Sequence, residues 1–357
     1  MASMAQSHEV HVYAPGQEPS EIPAGAGAGI IFHGASAPRP SSWRHFGLYP
    51  AALRKDWSRL NTKEVWQLIS ELRPDRVHVE YIQPVESVLG STGVPWTVTL
   101  HDVTTRVFRQ RADRSRGLER PYRWLEFLRV SALEKKVVKK AKRVFTLSAR
   151  DAAWVARFVP RNAVSHLKVG IDRAPKLWSA RDCESTTFVF AGAMWRDANI
   201  AAASYLVHEV MPIVWESLPS AVLRIVGSRP SAAVVALGDD HRVQIVGEVP
   251  SIEDEYIKAA AVLSPSLVDA GVLLKALRAL ACGSPLIVND AAAVPLEVTD
   301  GVECFVRNSP REIASQMISI SEDSRTAEKV AAAGPGFIHN NFSWKRFEED
   351  MATGIDE

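Results

Sequence analysis

Lys275 and Arg278 lie three residues apart in the run Val262–Asp290, VLSPSLVDAGVLLKALRALACGSPLIVND, just behind the small pair Ala270-Gly271. Cations at the start of a helix, beside its free first amides, are suited to binding an anion such as a phosphate. The run has the pattern such a site needs. Val262-Leu263 ends an apolar stretch at the turn cluster Ser264-Pro265-Ser266, and Leu273, Leu274, Leu277, Leu280 and Ala281 then recur at helical spacing. Cys282-Gly283-Ser284-Pro285 stops the helix, and Leu286-Ile287-Val288 reads as a buried parallel strand. The plain alternative for Lys275 is a solvated helix lysine.

Acid–base groups lie at strand ends elsewhere. Residues 76–80 (RVHVE) and 96–100 (WTVTL) alternate as strands, the first ending in Glu80-Tyr81 and the second leading into His101-Asp102. Ligands of open α/β sheets bind beyond the carboxyl ends of strands, so both clusters point toward a cleft. The plain readings are a histidine satisfied by Asp102 or backbone, and a glutamate paired with a neighbouring arginine.

The elements that must position these groups follow in order. Residues 9–13 and 30–32 read as short strands, and Thr62 as the cap of a helix to Leu72. Residues 106–142 divide into two helices near Gly117 and Pro121, residues 144–148 form a strand, and Ser148 caps a helix through Phe158. A second domain opens with the strand 188–192, then a loop to Arg196 and a helix to Ile213. Its strands end at Gly192, Gly227 and Gly247, each leading toward a helix, which describes a doubly wound nucleotide-binding domain.

The run around Lys275 resembles the donor-binding strand–loop–helix of family-4 glycosyltransferases, the retaining, nucleotide-sugar-dependent enzymes of GT-B fold. Pro265-Ser266, Asp269, Gly271, Lys275, Ala279, Ala281, Gly283 and Pro285 carry the likeness, as do Glu80-Tyr81, His101-Asp102 and the interdomain Gly170-Ile171-Asp172. The resemblance implies two Rossmann-like α/β domains, the first incomplete because the family's opening strand, glycine-rich loop and helix have no counterpart before Glu9. The domains expected are 1–173, on the acceptor side, and 174–357, which binds the nucleotide sugar and ends in a helix from Ser343-Trp344 crossing back.

It also implies roles. His101 would lie over the donor sugar as the catalytic group, Glu80 and Tyr81 would face the acceptor, and Gly192, Arg196, Gly227, Asp269, Gly271, Lys275 and Arg278 would line the donor site. Asp269 keeps the family's acidic position if the alignment is fixed on Pro265; fixed on Ala279, that position falls on Ala270. The chain departs from the pattern in three places. Arg278 stands where the family has a ribose-binding glutamate, and a guanidinium accepts no hydrogen bond. Ala193 replaces a basic residue, for which Arg196 is a substitute, and Val169 replaces an asparagine. Three functions remain open: an active retaining transferase, a silent homologue serving as a partner subunit, and a sugar-nucleotide epimerase, for which the chain shows few cleft carboxylates.

At 357 residues the chain suits two domains, and a formal charge of +1 argues against a nucleic-acid partner. That balance hides a basic segment. From Arg106 to Arg143, nine arginines and five lysines face four acidic residues, a local +10. It reads either as a solvated helical face or as a contact for anionic lipid headgroups or a lipid-linked diphosphate acceptor. Three cysteines without metal spacing fit a reducing cytoplasm, and neither a membrane span nor a secretory signal is apparent. No metal is expected, and the partners expected are a nucleotide-sugar donor, a sugar, lipid-linked or small-molecule acceptor, and a peripheral contact with the inner membrane face through 106–143.

Overall fold

The computed structural model describes residues 5, 8–14, 29–33, 49–51, 53, 57, 59–90, 93–268 and 271–356. The chain forms two compact units, Met1–Leu167 with Lys345–Glu357, and Lys168–Trp344.

In the first unit β1 (Val10–Tyr13) and β2 (Ile30–His33) pair in parallel as a separate ribbon. The main sheet runs in sequence order through β3 (Val77–Glu80), β4 (Trp96–Leu100), β5 (Arg143–Thr146) and β6 (Val164–His166), all parallel. Period-two alternation gives it two different faces. Val79, Trp96, Val98, Leu100 and Val144 share a core with Val137, Val138 and Val155. The opposite face holds His78, Glu80, Thr97, Thr99 and Phe145, with His78 opposite Thr97 and Glu80 opposite Thr99. α1 (Arg59–Leu72) precedes β3; α2 (Thr104–Arg114) and α3 (Glu119–Lys140) form the hairpin between β4 and β5, and α4 (Ala149–Val155) follows β5.

The helix α1 begins before Thr62. That residue is buried in the first turn, where its hydroxyl accepts the indole N–H of Trp57 at 3.1 Å and so does not cap. Ser148 does cap α4, accepting the Asp151 amide, but the helix ends at Val155. Tight bonds from Arg157 to Trp154 and Phe158 to Val155 close the chain down before Pro160, whose predecessor disfavours helix.

The second unit is one six-stranded parallel sheet in the order β12-β11-β10-β7-β8-β9. The strands are β7 (Glu184–Ala191), β8 (Val222–Val226), β9 (Val243–Gly247), β10 (Ala259–Leu263), β11 (Leu286–Val288) and β12 (Phe305–Val306). Both faces are covered: Phe188 and Phe190 of β7 enter one apolar cluster, and Val189 and Ala191 enter another. The chain winds outward from β7 through β8 and β9, then returns to β10 beside β7 and winds the other way. The topological switch therefore lies between β7 and β10, where ligands of such sheets bind. The loops leaving these strands carry α5 (Asp197–Tyr205) and α7 (Leu274–Ala281), with α6 (Ile252–Lys258) before β10.

After α5 the helix passes through a π-helical turn, Leu206–Val210, and continues as Met211–Ser217, past the expected end at Ile213. Pro212 has no amide to give the regular ladder, and the wide turn accommodates it. The chain returns to the first unit through α9 (Trp344–Asp356), where Gly354 rests against the Phe145 ring.

α7 is held close by α8 (Ser324–Asn341). A Cβ on Gly334 would come within 2.6 Å of the Leu280 carbonyl oxygen, whereas one on Gly336 of the same helix would meet nothing within 4 Å. Gly334→Ala is expected to lower stability by about 1–3 kcal/mol through overpacking. Gly336→Ala should raise it by up to ~1 kcal/mol through helix propensity. Urea denaturation of the two variants checks the contrast; equal effects would mean α8 can shift away from α7.

Candidate functional site

The carboxyl end of the second sheet is shaped by two glycines. Gly227, at φ 146°, lies so close to Gly192 that a Cβ on it would stand 1.7 Å from the Gly192 carbonyl oxygen. Backbone bonds join the loops there: Gly192 N–H to Val226 (3.0 Å), Met194 N–H to Ser228 (3.0 Å) and Gly227 N–H to Gly247 (2.7 Å). The loops after β7, β8 and β9 thus form one edge.

Lys275 reaches this edge through Asn199. Its ammonium donates to Asn199 Oδ1 at 3.1 Å and lies 4.1 Å from the centre of the Phe190 ring, while Asn199 Nδ2 donates to the Ala193 carbonyl at 3.0 Å. No carboxylate pairs with Lys275 among the described residues. Although part of the side chain still touches water, burial pulls its pKa down to about 7. Asn199 was not apparent from sequence. The only signal was a polar residue between the apolar Ala198 and Ile200 in the first turn of α5.

Arg196 ends the loop at the start of α5, its guanidinium 5.3 Å from the centre of the Trp195 ring, with Arg229 4.7 Å from the same ring. Gly271 is buried, and α7 begins at Leu274 without a side-chain cap. Arg278 is exposed and turns toward α6, its guanidinium 3.8 Å from Glu253. Gly192, Arg196, Gly227 and Lys275 thus belong to one connected edge, and Arg278 is held apart from it. Asp269 lies outside the described residues.

In the first unit, Glu80, Tyr81 and His101 meet at the carboxyl ends of β3 and β4. Glu80 Oε2 is 2.8 Å from His101 Nε2, and the His101 ring stacks on Tyr81 with centroids 3.7 Å apart. The histidine is therefore satisfied by Glu80 and not by Asp102, and the partners of Glu80 here are histidines and not an arginine. Tyr81 takes a left-handed φ of 68°, tied by its amide to the Thr99 carbonyl at 3.0 Å. Such a conformation is uncommon outside glycine and recurs at functional sites.

His78 completes the group, with Nδ1 2.7 Å from Thr97 Oγ1 and Nε2 3.0 Å from Thr99 Oγ1 and 3.3 Å from Glu80 Oε1. Its signal in the sequence was the two-residue spacing to Glu80, which puts both on one strand face. Partial burial pushes the Glu80 carboxyl up, but hydrogen bonds from His101 and His78 outweigh it and hold the group near 2. Below the cluster, the buried Glu134 of α3 accepts the amides of Thr104 and Thr105 at 2.8 and 3.0 Å, fixing α2 just after His101-Asp102-Val103. No group of three or more metal-ligating side chains occurs among the described residues.

Residues 1–167 match the model described as a glycosyl transferase 4-like domain, and residues 185–323 match that of glycosyl transferases group 1. The chain belongs to the group 1, family-4-like glycosyltransferases. Its fold is GT-B. A sucrose-phosphate synthase from Thermosynechococcus elongatus is 15% identical, with TM-score 0.71 over 99% of this chain and 89% of that one. Anabaena HepE in complex with UDP and glucose is 13% identical, with TM-score 0.66 over 92% and 86%. TarM is 11% identical, with TM-score 0.66 over 84% of this chain, which spans 59% of TarM. No curated protein sequence matches.

The pH behaviour of the folded chain should report the Glu80 cluster. With Glu80 near 2 when folded against about 4.5 unfolded, its contribution is fully present above about 4.5 and is lost as pH falls toward 2. The side chain is half exposed, so solvent screens most of the gain. Glu80→Gln is expected to flatten the acid limb of a urea-denaturation series in that window. Near neutral pH it should cost under about 1 kcal/mol. An unchanged acid limb would remove the carboxylate from the ionic cluster.

Proposed function

We propose that the chain transfers a sugar from a nucleotide-diphosphate donor to a sugar, lipid-linked or small-molecule acceptor, with retention of anomeric configuration. The observation that carries this reading is Lys275, an ammonium at the edge of a topological switch with no carboxylate partner among the described residues. The solved complexes of HepE with UDP and glucose and of S. aureus TarM with UDP support a uridine diphosphate donor. In this reading the second unit holds the donor and the first unit receives the acceptor. The bond from the sugar C1 to the diphosphate breaks as the oxygen of an acceptor hydroxyl bonds to C1 on the same face, and the hydroxyl proton passes to the departing diphosphate. Charge on the departing diphosphate is met by Lys275, Arg196 and backbone amides, and His101 lies over the sugar. Glu80 and Tyr81 orient His101 and face the acceptor.

A pKa near 7 leaves a substantial fraction of Lys275 neutral in the free protein. A diphosphate beside it favours the charged form and raises that pKa, so binding above pH 7 takes up a proton. Calorimetric titration of UDP at pH 8 in two buffers of different ionisation enthalpy should therefore show proton uptake. Lys275→Ala should abolish it and weaken UDP by roughly 1.5–3 kcal/mol. Equal affinity and equal proton uptake in both forms would exclude Lys275 from the donor site.

The second reading is a silent homologue, and Arg278 favours it: where a ribose acceptor is wanted, the chain has a cation paired with Glu253. An active enzyme, with Arg278 turned away, is expected to bind UDP well, and Arg278→Glu should leave that affinity unchanged or higher. In a silent one, wild type binds weakly and the substitution restores affinity. Titration of UDP and GDP against both forms, with donor hydrolysis followed in parallel, separates them.

A further inference from the structure

The hairpin α2–α3 leaves a continuous face of α3 outside its core. Glu126, Val130, Glu134, Val137 and Val138 are buried on one side of the helix, and Trp124 and Phe127 meet edge to face at 5.4 Å beneath Arg109. These aromatics are used in packing. On the opposite side Leu118, Leu125 and Leu128 are 99%, 44% and 58% exposed. Helical spacing continues that face through exposed Lys136, Lys139 and Lys140, so a leucine row at the loop end runs into a lysine row. Arg111, Arg114, Arg116 and Arg120 surround the loop end and are also exposed.

The hairpin's acidic groups are occupied. Asp113 pairs with Arg109 at 3.0 Å, Glu119 with Arg123 at 3.4 Å and Glu126 with Arg129 at 2.9 Å, while Glu134 binds amides. Lys136, Lys139 and Lys140 have no acidic partner among the described residues. No helix among the described residues is long and apolar enough to cross a membrane.

We propose that this face of α3 docks the protein on an anionic phospholipid bilayer, with Leu118, Leu125 and Leu128 entering the headgroup–acyl boundary and the basic side chains meeting lipid phosphates. The charge selects this partner over an uncharged one. Leucines alone would suit any apolar surface, but a face this basic, with its acids already paired, is complementary to an anionic one. Apolar insertion and a polybasic row together supply the two signals that stable peripheral binding needs. The inference does not depend on the sugar-transfer reading.

Co-sedimentation of the full chain with phosphatidylcholine vesicles, and with vesicles of equal phosphatidylcholine and phosphatidylglycerol, tests it. Binding to the anionic vesicles alone is expected. Each basic side chain near such a surface is worth about fivefold in partitioning, or ~1 kcal/mol. The triple variant Lys136→Glu, Lys139→Glu, Lys140→Glu should therefore lose more than about a hundredfold. Leu118→Ser with Leu125→Ser and Leu128→Ser should reduce binding at least about tenfold. These positions are exposed, so melting temperatures should stay unchanged; if one triple variant unfolds, the other decides. Equal binding to neutral vesicles, no binding by wild type, or retained binding in the folded variants would overturn the proposal. So would sedimentation velocity showing that the leucine face instead joins two copies of the chain, without vesicle binding.

Discussion

The carbonyl oxygen of Gly192 fills the space in which any other residue at 227 would carry its Cβ. That close approach, with the bonds from Gly192 to Val226 and Met194 to Ser228, sets the loops after β7 and β8 against each other. The candidate donor edge depends on it. Asn199 can reach both the Ala193 carbonyl and the Lys275 ammonium only because the loop before it is held there. The two glycines act mainly through the backbone, permitting a packing that orients charged groups they do not themselves supply.

The two units hold their polar groups in opposite ways. On the first sheet a carboxylate is met by two imidazoles and stays ionised, its neighbours Thr97 and Thr99 buried and bonded. On the second, an ammonium is partly desolvated beside an amide and an aromatic ring, with no counter-charge among the described residues, so its charged form is disfavoured. The first arrangement is self-sufficient; the second is improved by an arriving anion. This difference makes Lys275 the group whose environment points most directly to a ligand.

A similar distinction separates the arginines. Arg278 lies one turn from Lys275 yet is paired with Glu253 in α6, and the hairpin's acids are matched to local partners. Among the described residues, the lysine row of α3 and the basic loop end have no acidic partner. Surface ion pairs contribute little stability, so the arrangement matters less for folding than for the sign of the field the hairpin presents.

Much of this was legible in the residues. The strands 96–100 and 286–288 lie where alternation and apolar runs put them, and the helix carrying Lys275 follows its leucine spacing. Local pattern suffices there because each element has one face to bury and clear turn residues at its ends. The family and its fold were legible in the spacing of Pro265-Ser266, Gly271, Ala279, Gly283 and Pro285. Other features required the folded chain. Thr62 falls inside a helix that already begins at Arg59 and takes the Trp57 indole, His101 takes Glu80 across strands in place of adjacent Asp102, and Lys275 is answered by an asparagine 76 positions away. Sequence alone determined which groups were available and which elements would carry them. Only the tertiary structure decided which groups meet, because hydrogen bonding and desolvation act over a few ångströms of space and take no account of separation along the chain.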